Sequence, residues 1–512
     1  MFQPKRFRSQ QQLLKSTTGW LINGSKTLSS PWKLCTDMLN HTSSKRYISN
    51  QTTSQLIRHF KKHHQHRGFI VFNQNVDQQK SEPYKLSHPC MEPVLECITT
   101  KHQTAGDSNV GMMVQDRAEI VGNMEALFLE VSPVTQSLLG CFIHNTKRGL
   151  ALGSVDLWHY PHASEFVNAG LDQSAHAARR MALTNQYWGG AKAIIQTNTD
   201  FTLNYSNPEV RRTIMNELGS FVSSLRGVVY VDAGFGVNSH DMAHVFERTR
   251  FTTYTPKLSM NGNLAAQSHA QTTITALEGA MSLRAGSRDL SDLVMALQGI
   301  KHNYETCKLL LQKKVRKIIL TDTDPIVIKH AKTVFSREIM DGIIEVRLVF
   351  EDQDSILHLE NVDILVPSSD TKLDAQNISD IKASVICGVS LSQFESMDHE
   401  RTLRKDQDVI IIPSLVIESS SSIIKGNEVF GFIPEIEGDP EISKYFSPDY
   451  EFSISNLVRR IITLSKEKNV STEQCAIEIA DEIMKQPHPF IPTRGSQIIQ
   501  SLVKDEWNNA DF

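Results

Sequence analysis

From about residue 290 the chain alternates between short apolar runs and segments of helical spacing, and this alternation constrains the fold most. The runs at 293–299, 317–322, 344–349, 362–367, 383–388 and 409–413 have strand length and almost no polar interruption. Helical spacing fills 304–314 and 326–335 between the first three of them. A strand apolar on both faces must be covered on both sides, and a helix between two such strands returns the chain for parallel pairing. The expectation is an α/β, doubly wound parallel sheet. Segments 454–468 and 473–485 then close the chain as helices.

The preceding region has a different texture. Residues 125–131 and 140–144 read as strands, 166–185 as a helix with small or apolar Ala169, Leu171, Ala175 and Ala178 on its faces, and 193–195 and 228–231 as further strands. A helix over 208–225 opens with Pro208, whose missing N–H is no loss in a first turn. No internal repeat is visible. With 512 residues, and roughly 100–200 per domain, two or three domains are expected.

Charge matters chiefly at the start. Up to Val76 the only acidic residue is Asp37, against twelve lysines and arginines. An acid-poor, Arg/Ser-rich leader with apolar Leu13, Leu14, Trp20 and Leu21 has the composition of a transit peptide, which directs a protein to the mitochondrial matrix; a basic tail on a cytoplasmic protein is the alternative. Residues 1–108 are read as leader and linker. His59, His63, His64 and His66 stand among Lys61, Lys62 and Arg67, which repel a cation, so a solvated basic stretch is expected there and no metal. The net charge of -4 gives no reason to propose nucleic acid as a partner. No run of about 18 apolar residues exists to span a membrane. The seven cysteines lack CxxC spacing, which suits reduced thiols. No phosphate-binding P-loop, zinc spacing or Ser-His-Asp elbow is present.

Six motifs follow one another in the middle of the chain: GLALGSVDLW at 149–158, RMALTN at 180–185, GGAKAII at 189–195, YVDAG at 230–234 with Asp241 and Met242 after it, Thr255-Pro256 with Gly262-Asn263, and PSLVIESSSSIIKGNEVFGF at 413–432. In that order, from about 146 to 432, the chain resembles the Glu/Leu/Phe/Val amino-acid dehydrogenase family, nearest its short leucine-dehydrogenase branch. The resemblance implies two α/β domains: residues 109–287 binding substrate and mediating oligomerisation, and 288–432 forming a Rossmann-like, NAD-binding domain. Residues 433–512 would add C-terminal helices packing back across the cleft. It also implies an amino acid or amine as substrate, and a homo-oligomer or a subunit of a larger assembly.

In such enzymes a hydride passes from the substrate Cα to the nicotinamide, and water hydrolyses the resulting imine to a 2-oxo acid and ammonia. A lysine of lowered pKa and a proton-shuttling acid are needed within reach of Cα. The matching positions are Lys192 and Asp232; without the resemblance, each is an ordinary surface charge. The resemblance further puts Leu152, Gly153, Met181, Thr184 and Glu418 at the substrate, and Gly299, Lys301, Asp322 and Ser392 at the cofactor.

Several of these positions depart from the pattern. Thr184 stands where a second lysine would grip the substrate carboxylate, and about four residues of a glycine-rich stretch are missing before Gly189. Glu418 replaces an asparagine, putting an anion near that carboxylate, and Asp156 reverses the sign of an arginine. A dinucleotide loop reads GxGxxG, but here it is Gly299-Ile-Lys-His-Asn-Tyr304, with Lys301 in place of the second glycine; its charge could pair with a phosphate. Asp322, about 20 residues on, suits a ribose diol. The isolated Gly234-Phe-Gly236 precedes no convincing phosphate helix. Three functions stay open: an NAD-dependent dehydrogenase with altered specificity, a catalytically inactive member acting as a structural or regulatory subunit, and a cleft taking a cationic ligand.

Overall fold

The computed structural model describes residues 51–72, 84–99, 117–197, 203–254, 264–349, 361–367, 373–388, 393–429, 436 and 438–509. Two sheets organise it. The first contains β1 (Arg67–Phe72), β2 (Tyr84–Leu86), β3 (Ala126–Val131), β4 (Leu138–Asn145), β5 (Ala151–Trp158), β6 (Gly189–Gln196) and β7 (Val229–Ala233), in the order β2-β1-β3-β4-β6-β5-β7. Pairing is antiparallel from β2 through β6 and parallel across β6, β5 and β7.

Alternate residues of these strands feed two cores, as the two-residue period of a strand requires. Ala126 and Phe128 join one core with Leu139, Cys141 and Ile143, while Leu127, Leu129 and Val131 join the other with Phe142. Helices cover both faces. α1 (Thr53–Lys62), α2 (Glu92–Thr99) and α3 (Ala163–Leu183) lie on the Phe142 side, and α4 (Pro208–Ser224) lies on the Phe128 side.

Of the segment read from composition as leader and linker, residues 53–72 and 84–99 are therefore part of this layer. β1 pairs with β3 over five positions, sending Phe69 and Val71 into one core and Ile70 and Phe72 into the other. α1 buries Leu56, Ile57 and Phe60 and carries His59, Lys61 and Lys62 in its last turn. An amphipathic helix can be basic on its outer face without being a tail. The leader up to residue 50 lies outside the described residues.

The second sheet holds β8 (Val294–Gln298), β9 (Lys317–Asp322), β10 (Ile344–Leu348), β11 (Ile364–Val366), β12 (Val385–Cys387) and β13 (Ile410–Ile412). All its pairs are parallel and its order is β10-β9-β8-β11-β12-β13. That is the nucleotide-binding order, with its reversal between β8 and β11. α5 (Leu264–Arg284) and α6 (Ile300–Gln312) pack into one of its cores with Met295 and Leu297.

The remaining helices join the layers. α7 (Ser414–Glu418) and α8 (Ser420–Glu428) follow β13, α9 (Ile454–Lys468) packs on α5, and α10 (Thr472–Met484) packs on α3 of the first layer. α11 (Arg494–Lys504) returns to the first sheet, where Trp507 meets Phe128 with ring centroids 5.2 Å apart. No described helix is long and apolar enough to cross a membrane.

Candidate active site

Lys192 on β6, Ser154 on β5 and Asp232 on β7 are register partners across three adjacent parallel strands. Aligned positions on parallel strands share a face, so the three side chains stand in a row about 4.8 Å apart per strand. Leu152 and Asp156, two residues either way from Ser154, share that face. Gly153 belongs to the opposite one; a Cβ there would fall 1.9 Å from the Ala191 carbonyl oxygen, so its role is close strand packing. α3 covers the row. It comes close because Gly190 has no side chain, a Cβ there lying 2.2 Å from the Ala178 backbone nitrogen.

Three ion pairs line this face. The innermost joins Lys192 Nζ to Asp156 Oδ1 at 2.5 Å, with side chains 3% and 7% exposed. Lys192 also donates to Ser154 Oγ at 2.8 Å. Burial pushes the Lys192 ammonium below its usual pKa, Asp156 opposes that shift, and Arg180 adds to it. Asp156 Oδ1 in turn accepts the Phe235 backbone N–H at 2.8 Å.

The outer pairs are more open. Asp232 accepts the Thr253 hydroxyl on Oδ1 at 2.7 Å, and its Oδ2 is paired with Lys425 Nζ from α8; these two side chains are 14% and 27% exposed. Burial brings Lys425 down to about 8, Arg180 and Lys192 push the same way, and Glu428 and Asp156 oppose. Arg180, on α3, meets Glu418 Oε2 through Nη1 at 3.4 Å, each side chain 26% exposed. Its Nε is buried and has no acceptor among the described residues. Burial raises the Glu418 pKa, and Arg180 pulls it back. Glu473 of α10, pushed up to about 7 by burial and by Glu418, accepts the Ser414 and Leu415 N–H groups at 2.8 and 3.3 Å at the start of α7.

Besides the Lys425–Asp232 pair, two side chains of the first layer donate to α8 carbonyls. Gln186 Nε2 donates to the Ser422 carbonyl at 2.8 Å, and Trp188 Nε1 to that of Gly426 at 3.1 Å. Beside them Leu152, Met181 and Trp188 form an apolar cluster with Tyr230 and Val429. Of the expected substrate residues, Leu152, Met181 and Glu418 thus lie around the row of charges. Thr184 does not join them: it is fully buried, and its hydroxyl turns back to the Arg180 and Met181 carbonyls at 3.1 and 3.2 Å.

At the second sheet, Gly299 adopts φ +78°, donates its N–H to Thr321 at 2.9 Å, and leads directly into α6. This is the tight turn that only glycine takes readily. Lys301 and His302 are exposed on the first helical turn. Asp322 ends β9, half-buried, with Oδ1 accepting the Asp324 N–H at 3.0 Å. A left-handed glycine, a helix start and a strand-end carboxylate fit the pyrophosphate and ribose of a dinucleotide, and the exposed Lys301 side chain is not held in the turn. Ser392, Thr255-Pro256 and Gly262-Asn263 lie outside the described residues.

The motifs contain Arg180 and Lys425, but spacing alone assigns them no role. The available signal is that Lys425 is the single cation within its long serine- and isoleucine-rich block.

No family model matches the chain. A phenylalanine dehydrogenase of Lysinibacillus sphaericus is 24% identical over 321 residues, 62% of this chain and 80% of the relative. A leucine dehydrogenase of Thermoactinomyces intermedius is 25% identical over 293 residues, 57% of this chain and 74% of the relative. Among solved structures, L-tryptophan dehydrogenase from Nostoc punctiforme shares the fold with a TM-score of 0.55 at 20% identity, covering 70% of this chain and 95% of that one. The ordered motifs, the strand order and these relatives agree: the chain belongs to the amino-acid dehydrogenase family, as a divergent, leucine-dehydrogenase-like member.

Proposed function

We propose that the chain is an NAD-dependent dehydrogenase that converts an L-amino acid to a 2-oxo acid and ammonia. The observation that carries this reading is the register of Lys192, Ser154 and Asp232 on one face beneath α8. Gly299, Lys301 and Asp322 would hold the dinucleotide, and the Asp322 charge disfavours a 2′-phosphate. When bound, the nicotinamide supplies the acceptor for the hydride leaving the substrate Cα.

The chain's own groups supply proton handling. Burial biases Lys192 toward the neutral amine, which can take a proton from water. Asp232, oriented by Thr253, takes a proton from the substrate ammonium once Lys425 has moved off it. The first experiment is titration of the full chain with NADH by nicotinamide fluorescence, followed by turnover of leucine, phenylalanine and tryptophan. Micromolar binding with turnover is expected, and Lys192→Ala should lower kcat by about 100- to 10,000-fold. Turnover that survives Lys192→Ala would remove the role given to that lysine.

A second reading is a catalytically inactive subunit. It is favoured by the chain's own charges, which already pair both Lys192 and Asp232. It requires no NADH binding at millimolar concentration and no turnover. Homo-oligomer formation belongs to the first reading and partner subunits to the second; light scattering with co-purification separates them. Matrix import rests on the composition of the leader, and a reporter fused to residues 1–50 tests it.

A further inference from the structure

We propose that Arg180 and Lys425 form the carboxylate subsite of this cleft, and that together with Asp232 they select a zwitterionic amino acid over a simple amine or a simple acid. The inference rests on the dehydrogenase reading for the reaction, but its test is one of binding.

The argument begins with Thr184. A lysine at that position would project from the end of α3, but the threonine hydroxyl is bonded back into the helix and fully buried. Arg180 lies one turn earlier, and residues four apart share a helix face. Its longer side chain brings a charge to the same end of the cleft.

The guanidinium is under-used where it stands. A carboxylate normally takes two parallel N–H donors from an arginine fork. Here Glu418 takes one, at 3.4 Å, and the buried Nε has no acceptor among the described residues. Buried donors are ordinarily satisfied. Glu418 is a weak holder, because Glu473 stands close enough for the two carboxylates to repel. An incoming carboxylate can exchange with it and use the free donor.

Lys425 sets the remaining condition. Its ammonium is paired with Asp232, and both side chains are partly reachable by solvent. A ligand carrying one positive and one negative group can insert into that pair. Its ammonium takes Asp232, its carboxylate takes Lys425 and Arg180, and no charge is left buried alone. An amine would strand Lys425 and an acid would strand Asp232, each an uncompensated charge of the kind that proteins resist burying. The result is a specificity filter in which Arg180 and Lys425 act beside Asp232.

The test uses the full chain without NADH. L-Leucine and L-phenylalanine are titrated by calorimetry and by tryptophan fluorescence, since Trp188 touches the helix that carries Lys425. Isoamylamine and phenethylamine remove the carboxylate; isocaproate and hydrocinnamate remove the ammonium. The amino acids are expected to bind about 30-fold tighter than either partial ligand. Arg180→Met should weaken the amino acids by a similar factor and leave the amines unchanged, whereas Lys425→Met should weaken the amino acids but tighten the amines, because Asp232 is then free and no lysine is stranded. Glu418→Gln, which removes the competing charge, should tighten amino-acid binding several-fold and stands as an independent check if a methionine variant fails to fold. Absence of amino-acid binding at tens of millimolar, equal affinity for amine and amino acid, or unchanged affinity in Arg180→Met would each overturn the proposal. Amino-acid binding that follows this pattern in a chain lacking turnover would uphold the subsite while removing the dehydrogenase reading.

Discussion

At Glu473 burial and a neighbouring carboxylate act in the same direction, and the consequence reaches the cleft. The residue caps α7, which carries Glu418, and its carboxyl is pushed up to about 7 from an ordinary value of 4.5. A raised folded-state value means that the native protein holds the proton more tightly than the unfolded chain does. The stability it contributes is fully present below about pH 4.5 and is lost as pH rises through about 7. Between pH 5 and 8, wild type should therefore lose on the order of 2–3 kcal/mol relative to Glu473→Gln, read as the difference in their urea midpoints. Parallel pH profiles for the two proteins would remove Glu473 as the source. The sequence marked Lys192 and Asp232 through the family resemblance, since each alone reads as a surface charge, and the fold aligns them with Ser154 on one sheet face. Arg180 and Lys425 were not marked, since a cation on a helix ordinarily reads as a solvated face, and only the neighbouring elements show that these two point inward. Thr184 shows the converse: motif position marks it, but its hydroxyl is spent on its own helix.

Among the elements, α3 and β6 carry the site and depend on one close approach. The Gly190 Cα lies so near α3 that a methyl group would fall 2.2 Å from the Ala178 backbone nitrogen and 2.5 Å from the Ser174 carbonyl oxygen. Backbone on a packed helix cannot turn aside as a flexible side chain can. Gly190→Ala should cost about 1–3 kcal/mol, the usual range for overpacking, measured by urea unfolding. It should also lower activity through Lys192, two residues along the strand. A stability loss below a few tenths would mean that α3 shifts freely, and the close approach would then not be what positions the lysine. The parallel strands of the second sheet were readable as continuous apolar runs, and β9 keeps the limits expected of it, 317–322. α5 was not anticipated. Its buried residues run from Ser268 to Met281 on nearly every side, so it lacks the polar stripe by which a helix is recognised. α6 starts four residues before its expected beginning because Gly299 turns straight into it.

For the whole molecule, the two ends of the described chain meet in the first layer. Trp507 is 1% exposed; it lies edge-on to Phe128, 6.0 Å from the Phe221 ring, beneath the Arg67 guanidinium at 5.1 Å, and donates to Ser224 Oγ at 3.0 Å. The resemblance brings the C-terminal helices back across the cleft, but composition gave no sign that they meet the basic segment at β1, because Arg67 and Trp507 lie more than 400 residues apart. Trp507→Ala should remove about 3–5 kcal/mol, the usual cost of emptying so large a buried site. The manner of unfolding matters as much as the size. α10 ties the layers together: Arg179 meets Asp481 at 2.8 Å, and the buried Arg148 donates to the Ile483 carbonyl at 3.1 Å. Pulling α3 away from α10 would leave the buried Arg179 guanidinium without Asp481 and take one of the three acceptors of Arg148, so the first layer should not melt alone. Calorimetry of Trp507→Ala is therefore expected to show one transition at a lower midpoint. Two resolved transitions would mean that α10 is a weak bridge and that the layers, with the cleft between them, can separate without unfolding.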